Sequence, residues 1–196
     1  MRRMAAILTV VATVLLAAQG SFPAPGDLVL VSTSAEGVKS NDVSLAVSVS
    51  ADGRRVALSS AATNLDPRDT DGVLDIYVKD LATGDLTLAS TSAAGVKGNG
   101  RSDAPSLSAD GTKVAFESGS TNLTPEAVGG VFVKDLVTGA IVLASTSAAG
   151  VPGSGVSPSL SADGTRVAFV GANLDPADTD DLPDIYVKDL PTGELF

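Results

Sequence analysis

The chain has 196 residues, 23 acidic against 13 basic, with no histidine and no cysteine, and a net charge of −10. Such a surface repels nucleic-acid phosphates and anionic membranes and favours cations or basic partners. The missing cysteine excludes a disulfide scaffold and a lipid-anchored lipoprotein; with histidine also absent, the usual general base, thiol nucleophile and zinc ligand set are gone.

Arg2 and Arg3 precede an apolar run from Met4 to Ala18, followed by small residues up to Gly20. This layout predicts a secretory signal peptide over residues 1–20, too short for a comfortable membrane span. The mature chain is then expected to be secreted, periplasmic or at the cell surface, with no membrane attachment once the leader is cleaved. Losing Arg2 and Arg3 takes its net charge to −12.

From residue 28 the chain is all β. Leu28 to Ser34 reads as an outer strand by its match to Leu86–Ser92. A first unit (about 43–92) places strands at Val47–Ser50, Arg55–Ser59, Asp75–Lys79 and Leu86–Ser90, with turns at Asp52-Gly53 and Thr83-Gly84. A second (about 103–147) places them at Pro105–Ser108, Lys113–Glu117, Val131–Val133 and Ile141–Ala144. A third (about 157–196) repeats the order at Ser159–Ser161, Arg166–Val170, Asp184–Lys188 and the stub Glu194–Phe196. The Asp-Gly pairs recur 58 and 53 residues apart, a period typical of units that bury their apolar faces on one another. Asp-Gly between alternating runs predicts a type I′ hairpin turn, with positive φ at both central residues. No stretch after the leader sustains a helical apolar period. Four-stranded antiparallel units at this spacing predict about three blades of a β-propeller.

Pro105-Ser106-Leu107-Ser108-Ala109-Asp110-Gly111-Thr112-Lys113-Val114-Ala115-Phe116 resembles the P-x-W-S-P-D-G-x-x-I-A-F signature of the WD40-like (PD40, TolB-type) propeller repeat. Asp75-Ile76-Tyr77-Val78 and Asp184-Ile185-Tyr186-Val187 resemble its later D-I-Y-V strand. Leu or Val replaces the usual Trp, Ala replaces the Pro before Asp-Gly, and Gly130 replaces the strand-leading Asp in the middle unit. The resemblance implies an exported, non-catalytic propeller that binds something. Three blades are fewer than the usual four to eight, so the chain is either a piece of a longer propeller or half of a homodimer that closes a six-bladed ring.

In such a meander the tight Asp-Gly and Thr-Gly turns share one end. The long strand 2–3 and 4–1 connections share the other: the Asp-rich segments 64–75 and 173–184, and the Gly/Ser-rich segments 92–102 and 147–157. This long-loop end is the candidate ligand surface. Asp69, Asp71 and Asp75, with Gly72 between, match the later part of a calcium loop, and Asp178, Asp180 and Asp184 echo them. The first ligand position falls on Pro67 or Pro176, Asp181 replaces the glycine, and the middle unit has Thr124-Pro125-Glu126-Ala127 instead. The other reading is that these aspartates cap turns through nearby backbone NH groups. Tyr77, Phe132 and Tyr186 occupy equivalent packing positions.

Binding is favoured over catalysis, with a protein or a cell-envelope glycan as the partner class, no nucleic acid and, at most, Ca²⁺ as a bound ion. The alternatives are the propeller portion of a secreted glycosidase or peptidase, using a carboxylate pair from Asp66, Asp69 or Asp175, and a calcium-binding surface protein.

Overall fold

A computed structural model describes residues 27–196. The predicted signal peptide at 1–20 lies outside the described residues. There is no helix among the described residues, and none long and apolar enough to cross a membrane.

Eleven strands form three antiparallel sheets in sequence order. The first blade contains β1 (Ser44–Val49), β2 (Arg55–Ser60), β3 (Asp75–Asp80) and β4 (Leu86–Leu88). The second contains β5 (Ser102–Leu107), β6 (Lys113–Ser118), β7 (Gly130–Asp135) and β8 (Ile141–Leu143). The third has β9 (Val156–Leu160), β10 (Arg166–Gly171) and β11 (Asp184–Asp189). Its fourth strand is begun by Phe196, whose backbone exchanges hydrogen bonds with Val187 at 2.9 and 3.2 Å.

The inner strands bulge where they meet β2, β6 and β10. In the second and third blades the bulge holds Ala104 and Ser157 at φ 51° and 53°, each followed by a proline. A bulge is where a sheet tolerates a residue without an NH to donate.

The Asp-Gly turns differ from the type I′ expectation. Only the glycines take positive φ, 71° at Gly53 and 66° at both Gly111 and Gly164. The NH of Gly111 closes a four-residue turn on the Ser108 carbonyl at 2.9 Å. The reason lies in the aspartate side chain. Asp110 Oδ1 accepts from the Ser108 hydroxyl at 2.7 Å and the Thr112 NH at 2.9 Å, and Asp52 and Asp163 do likewise. That grip holds the aspartate at negative φ and leaves the left-handed step to glycine.

These hydrogen bonds, led by the serine hydroxyls, hold the Asp110 and Asp163 carboxyls at about 2, below the usual 3.8. A carboxyl lower in the folded than in the unfolded chain contributes stability above about pH 4 that is lost as pH falls through about 2. The melting temperature is therefore expected to fall over that interval, and less steeply in the Asp110→Asn/Asp163→Asn double variant.

Each blade offers one face to the blade before it and the other to the blade after. Ala57, Ile76, Val78 and Ala89 of the first blade pack against Leu107, Val114, Phe116, Phe132 and Leu143 of the second. Ala115, Val131, Val133 and Ala144 of the second pack against Leu160, Val167, Phe169 and Tyr186 of the third. The Phe116–Phe132 and Phe169–Tyr186 rings stack at 6.0 Å within their blades.

Polar contacts repeat across both junctions. The NH of Ala51 reaches the Ala109 carbonyl and that of Ala109 the Ala162 carbonyl, each at 2.8 Å. Leu107 NH donates to Ser48 Oγ, and Leu160 NH to Ser106 Oγ. Arg55 and Lys113 donate to the carbonyls of Gly111 and Gly164.

Among the described residues the predicted outer strand at 28–34 pairs with no strand of a sheet. Among the described residues its ladder contact is the bridge between Thr33 and Lys39. Thr33 and Ser34 are nevertheless anchored, since Lys79 Nζ donates to their carbonyls at 3.3 and 2.7 Å.

Candidate functional site: the long-loop face

The meander places the loops after β2 and β4 at one end, where adjacent loops lock together. The Asn99 NH donates to Asn122 Oδ1, Asn99 Nδ2 donates to Thr121 Oγ1 and the Thr121 NH donates back to Asn99 Oδ1, while Asn122 Nδ2 donates to the Lys97 carbonyl. Asn41, Thr63 and Asn64 repeat the arrangement one blade earlier. These clasps fix the connection leaving one blade against the strand 2–3 loop of the next turn.

The structure brings Asp69, Asp71 and Asp75 together, with carboxylate oxygens within 4.8 Å of one another. Between them stands Lys97, delivered by the β4–β5 connection. Its Nζ lies 2.7 Å from Asp75 Oδ2, 2.9 Å from Asp71 Oδ2 and 3.6 Å from Asp69 Oδ1. Asp69 and Asp75 are fully buried, whereas Asp71 is about half exposed. Burial opposes the lysine's charge, but the hydrogen bonds to Asp75 and Asp71 outweigh it and push its pKa up to about 12. Asp75 is raised by burial despite its partners, while Asp71 is lowered by its bond to Lys97. The Tyr77 hydroxyl donates to Asp69 Oδ2 at 2.5 Å, and Ser90 Oγ to Asp75 Oδ1 at 2.6 Å. A calcium ion seated here would have to displace the ammonium.

The middle blade replaces this set as a whole. Ala127 stands for Asp69, Gly130 for Asp75, Phe132 for Tyr77 and Pro152 for Lys97. The carboxylates, the tyrosine hydroxyl and the lysine of the first blade are thus all missing together from the middle blade, as buried groups that satisfy one another should be.

The third blade keeps the acids and the tyrosine. Asp178, Asp180 and Asp184 again approach within 4.8 Å. Asp178 Oδ2 accepts from the Tyr186 hydroxyl and from Asn173 NH, and the Tyr186 bond leads in lowering the Asp178 pKa. Among the described residues no lysine reaches this triad. Asp71 and Asp180 also accept from the NH two residues on, Val73 and Leu182, at 3.1 Å each. Asp66 and Asp175 cap their turns likewise. The turn-capping role and the clustered-carboxylate role therefore fall on the same side chains.

Beside these loops a groove of about 620 Å³ opens between the second and third blades. Its walls include Arg101, Asp103, Glu117, Val128, Ser154 and Val156; Val128 and Val156 are exposed. Arg101 pairs with Asp103 at 2.5 Å, and Glu117 accepts from Ser157 NH at 2.9 Å.

Sequence reasoning passed over the lysines. Lys79, Lys134 and Lys188 of the thrice-repeated Val-Lys-Asp are buried and donate to the Thr-Ser carbonyls that end the preceding outer strand or its equivalent. Burial lowers the pKa of all three. The available signal was a lysine held at one position of every unit.

No protein-family model matches the chain, and no curated protein matches it. Among solved structures, the putative TolB from Agrobacterium tumefaciens is similar at 23% identity and a TM-score of 0.53, over 80% of this chain and 49% of that one. TolB from Acinetobacter baumannii matches at 21% identity and a TM-score of 0.37, over 81% of this chain and 44% of that one. The β-propeller domain of the Trilobed protease from Pyrococcus furiosus matches at 16% identity and a TM-score of 0.48, over 79% of this chain and 41% of that one. The chain spans about half the length of these structures. Its three sheets in sequence order, with the repeated junctions between them, have the fold of a TolB-type β-propeller.

Proposed function

We propose that the chain is an exported, non-catalytic propeller module that binds a protein or a cell-envelope glycan on its long-loop face. The observation that carries this reading is the groove between the second and third blades. It combines exposed valines with Arg101, Asp103 and Glu117 on a scaffold fixed by the interlocked loops, the mixed apolar and polar lining on which recognition sites are built. Export rests on the leader pattern of residues 1–20, and the net negative charge supports a partner with basic groups.

The test is a binding screen of the immobilised chain against exported proteins and envelope glycans of its host. Val128→Asp and Arg101→Glu are expected to weaken capture of the partner by about tenfold or more each, with melting temperature unchanged. Peptide or glycoside hydrolysis that disappears on changing Asp66, Asp69 or Asp175 to Asn would instead establish the hydrolase alternative.

A second reading is favoured by the lysine-free triad: calcium, where bound, sits at Asp178, Asp180 and Asp184. Millimolar Ca²⁺ should then raise the melting temperature more than Mg²⁺ does. Asp180→Asn is expected to remove that shift and Asp71→Asn to leave it, whereas indifference to calcium would end the reading.

A further inference from the structure

Asn99-Gly100 is the only Asn-Gly pair in the sequence, and it lies inside the clasp that joins the β4–β5 connection to the β6–β7 loop. An asparagine followed by glycine is the dipeptide most prone to modify itself, because glycine has no side chain to shield its amide nitrogen from the carboxamide before it. That nitrogen attacks Asn99 Cγ, the Cγ–Nδ2 bond breaks and ammonia leaves, and the resulting cyclic succinimide takes up water. Opening at one carbonyl gives aspartate; opening at the other gives isoaspartate, with an extra methylene in the main chain. Only water is consumed.

The fold explains why a reactive pair stands here. A Cβ on Gly100 would come within 2.7 Å of the Gly119 carbonyl carbon and 2.9 Å of the Ser120 nitrogen, so the close approach of two main chains requires glycine. The clasp in turn requires Asn99, whose side chain gives it both an acceptor and a donor. The other junctions separate these demands. The first has Asn41-Asp42, whose second residue carries a side chain, and the third has Ser154-Gly155, which has no carboxamide.

Both reacting groups are held in the closed clasp. The Gly100 NH donates to Ser120 Oγ at 3.0 Å. Asn99 Oδ1 accepts from the Thr121 NH at 2.8 Å, and Asn99 Nδ2 donates to Thr121 Oγ1 at 3.0 Å. The carboxamide is thus turned toward the neighbouring loop while the attacking nitrogen is occupied, and attack requires all three bonds to open together. Asn99 itself is exposed, so water reaches the ring once it forms.

We infer that Asn99-Gly100 is a deamidation site held in check by the clasp, and that its conversion to isoaspartate releases the β4–β5 connection from the β6–β7 loop. The added methylene enters where Gly100 already lies against Gly119 and Ser120 with no room to shift, and it carries Asn99 out of register with Thr121 and Asn122. The bond from the Gly119 NH to the Arg101 carbonyl, 2.8 Å long, comes next along the same two segments. Arg101 and Gly119 both line the groove between the second and third blades. The clasp is therefore a slow, one-way device, in which opening permits the reaction and the reaction keeps the clasp open.

The test is ageing of the full chain at mildly alkaline pH, folded in buffer and unfolded in urea, followed by peptide mass analysis for the exchange of NH for O at Asn99 and by an isoaspartate assay. The folded chain is expected to react on the order of 100-fold more slowly than the unfolded chain, the combined restraint of three hydrogen bonds. Thr121→Val, at an exposed position, and Asn122→Ala should each speed the folded reaction by about tenfold and leave the unfolded rate unchanged. Aged wild type should show faster amide hydrogen exchange at Gly119 and Thr121 with β6 unaffected, and Asn99→Ser, which follows the third blade, should form no isoaspartate there. Equal rates in the folded and unfolded chain overturn the inference. So does a folded rate indifferent to both substitutions, or unchanged exchange at Gly119 and Thr121 once isoaspartate has formed.

Discussion

Lys97→Met is expected to destabilise the chain by about 3–5 kcal/mol at neutral pH, the cost of leaving buried charge without its counter-ion. Asp69 and Asp75 are fully buried and share this one ammonium, so its loss leaves two desolvated carboxylates facing each other. The pH dependence follows from Asp75, whose pKa burial already raises. A carboxyl higher in the folded than in the unfolded chain binds its proton better when folded, so its contribution to stability grows as pH falls from that raised value toward 3.8. The deficit of Lys97→Met in urea unfolding should therefore shrink as the buffer is taken from neutral toward about pH 4. Replacing Asp69, Asp75, Tyr77 and Lys97 together with Ala, Ala, Phe and Met, which follows the apolar choice of the middle blade, should cost less than the single change. Apolar replacement of a whole buried ionic set is often near neutral.

Gly130→Asp, which restores the aspartate found at Asp75 and Asp184, is expected to destabilise by about 3 kcal/mol or more, from a disallowed backbone and overpacking together. Gly130 has φ 137°, a conformation that side chains rarely adopt. A Cβ there would run into Ser145 Oγ and come 3.1 Å from the Gly153 carbonyl. In the first blade the equivalent Ser90 hydroxyl is bonded to Asp75, whereas Ser145 donates to Gly153 at 2.9 Å and has no room for a carboxylate. A melting temperature equal to the wild type would show that the middle blade can accept the repeat's usual residue.

Much of this architecture is legible in the sequence because period and alternation are local. The Asp-Gly turns, the strand alternation and the Val-Lys-Asp recurrences mark eleven strands and a stub, and meander topology alone sorts the loops into two ends. The turns differ from the type I′ expectation because the Ser108 hydroxyl and Thr112 NH satisfy Asp110 without a left-handed backbone. The acidic motif was found, but not its cation. Lys97 follows Asp71 by 26 residues and belongs to the next connection, so only the fold shows that its side chain reaches back over the preceding loop. The departures of the middle unit look like decay when taken one at a time. Ala127, Gly130, Phe132 and Pro152 make sense only as the joint removal of a buried polar set.

The carboxylates of the first blade form a seat for a lysine delivered by the following connection. The most direct measurement is a double-mutant cycle in urea unfolding between Lys97→Met and Asp75→Asn. A coupling energy of about 2 kcal/mol or more, within the range known for residues in one buried network, is the expected result. A coupling indistinguishable from zero would contradict it, because the two side chains would then act independently and the 2.7 Å pair would hold nothing together.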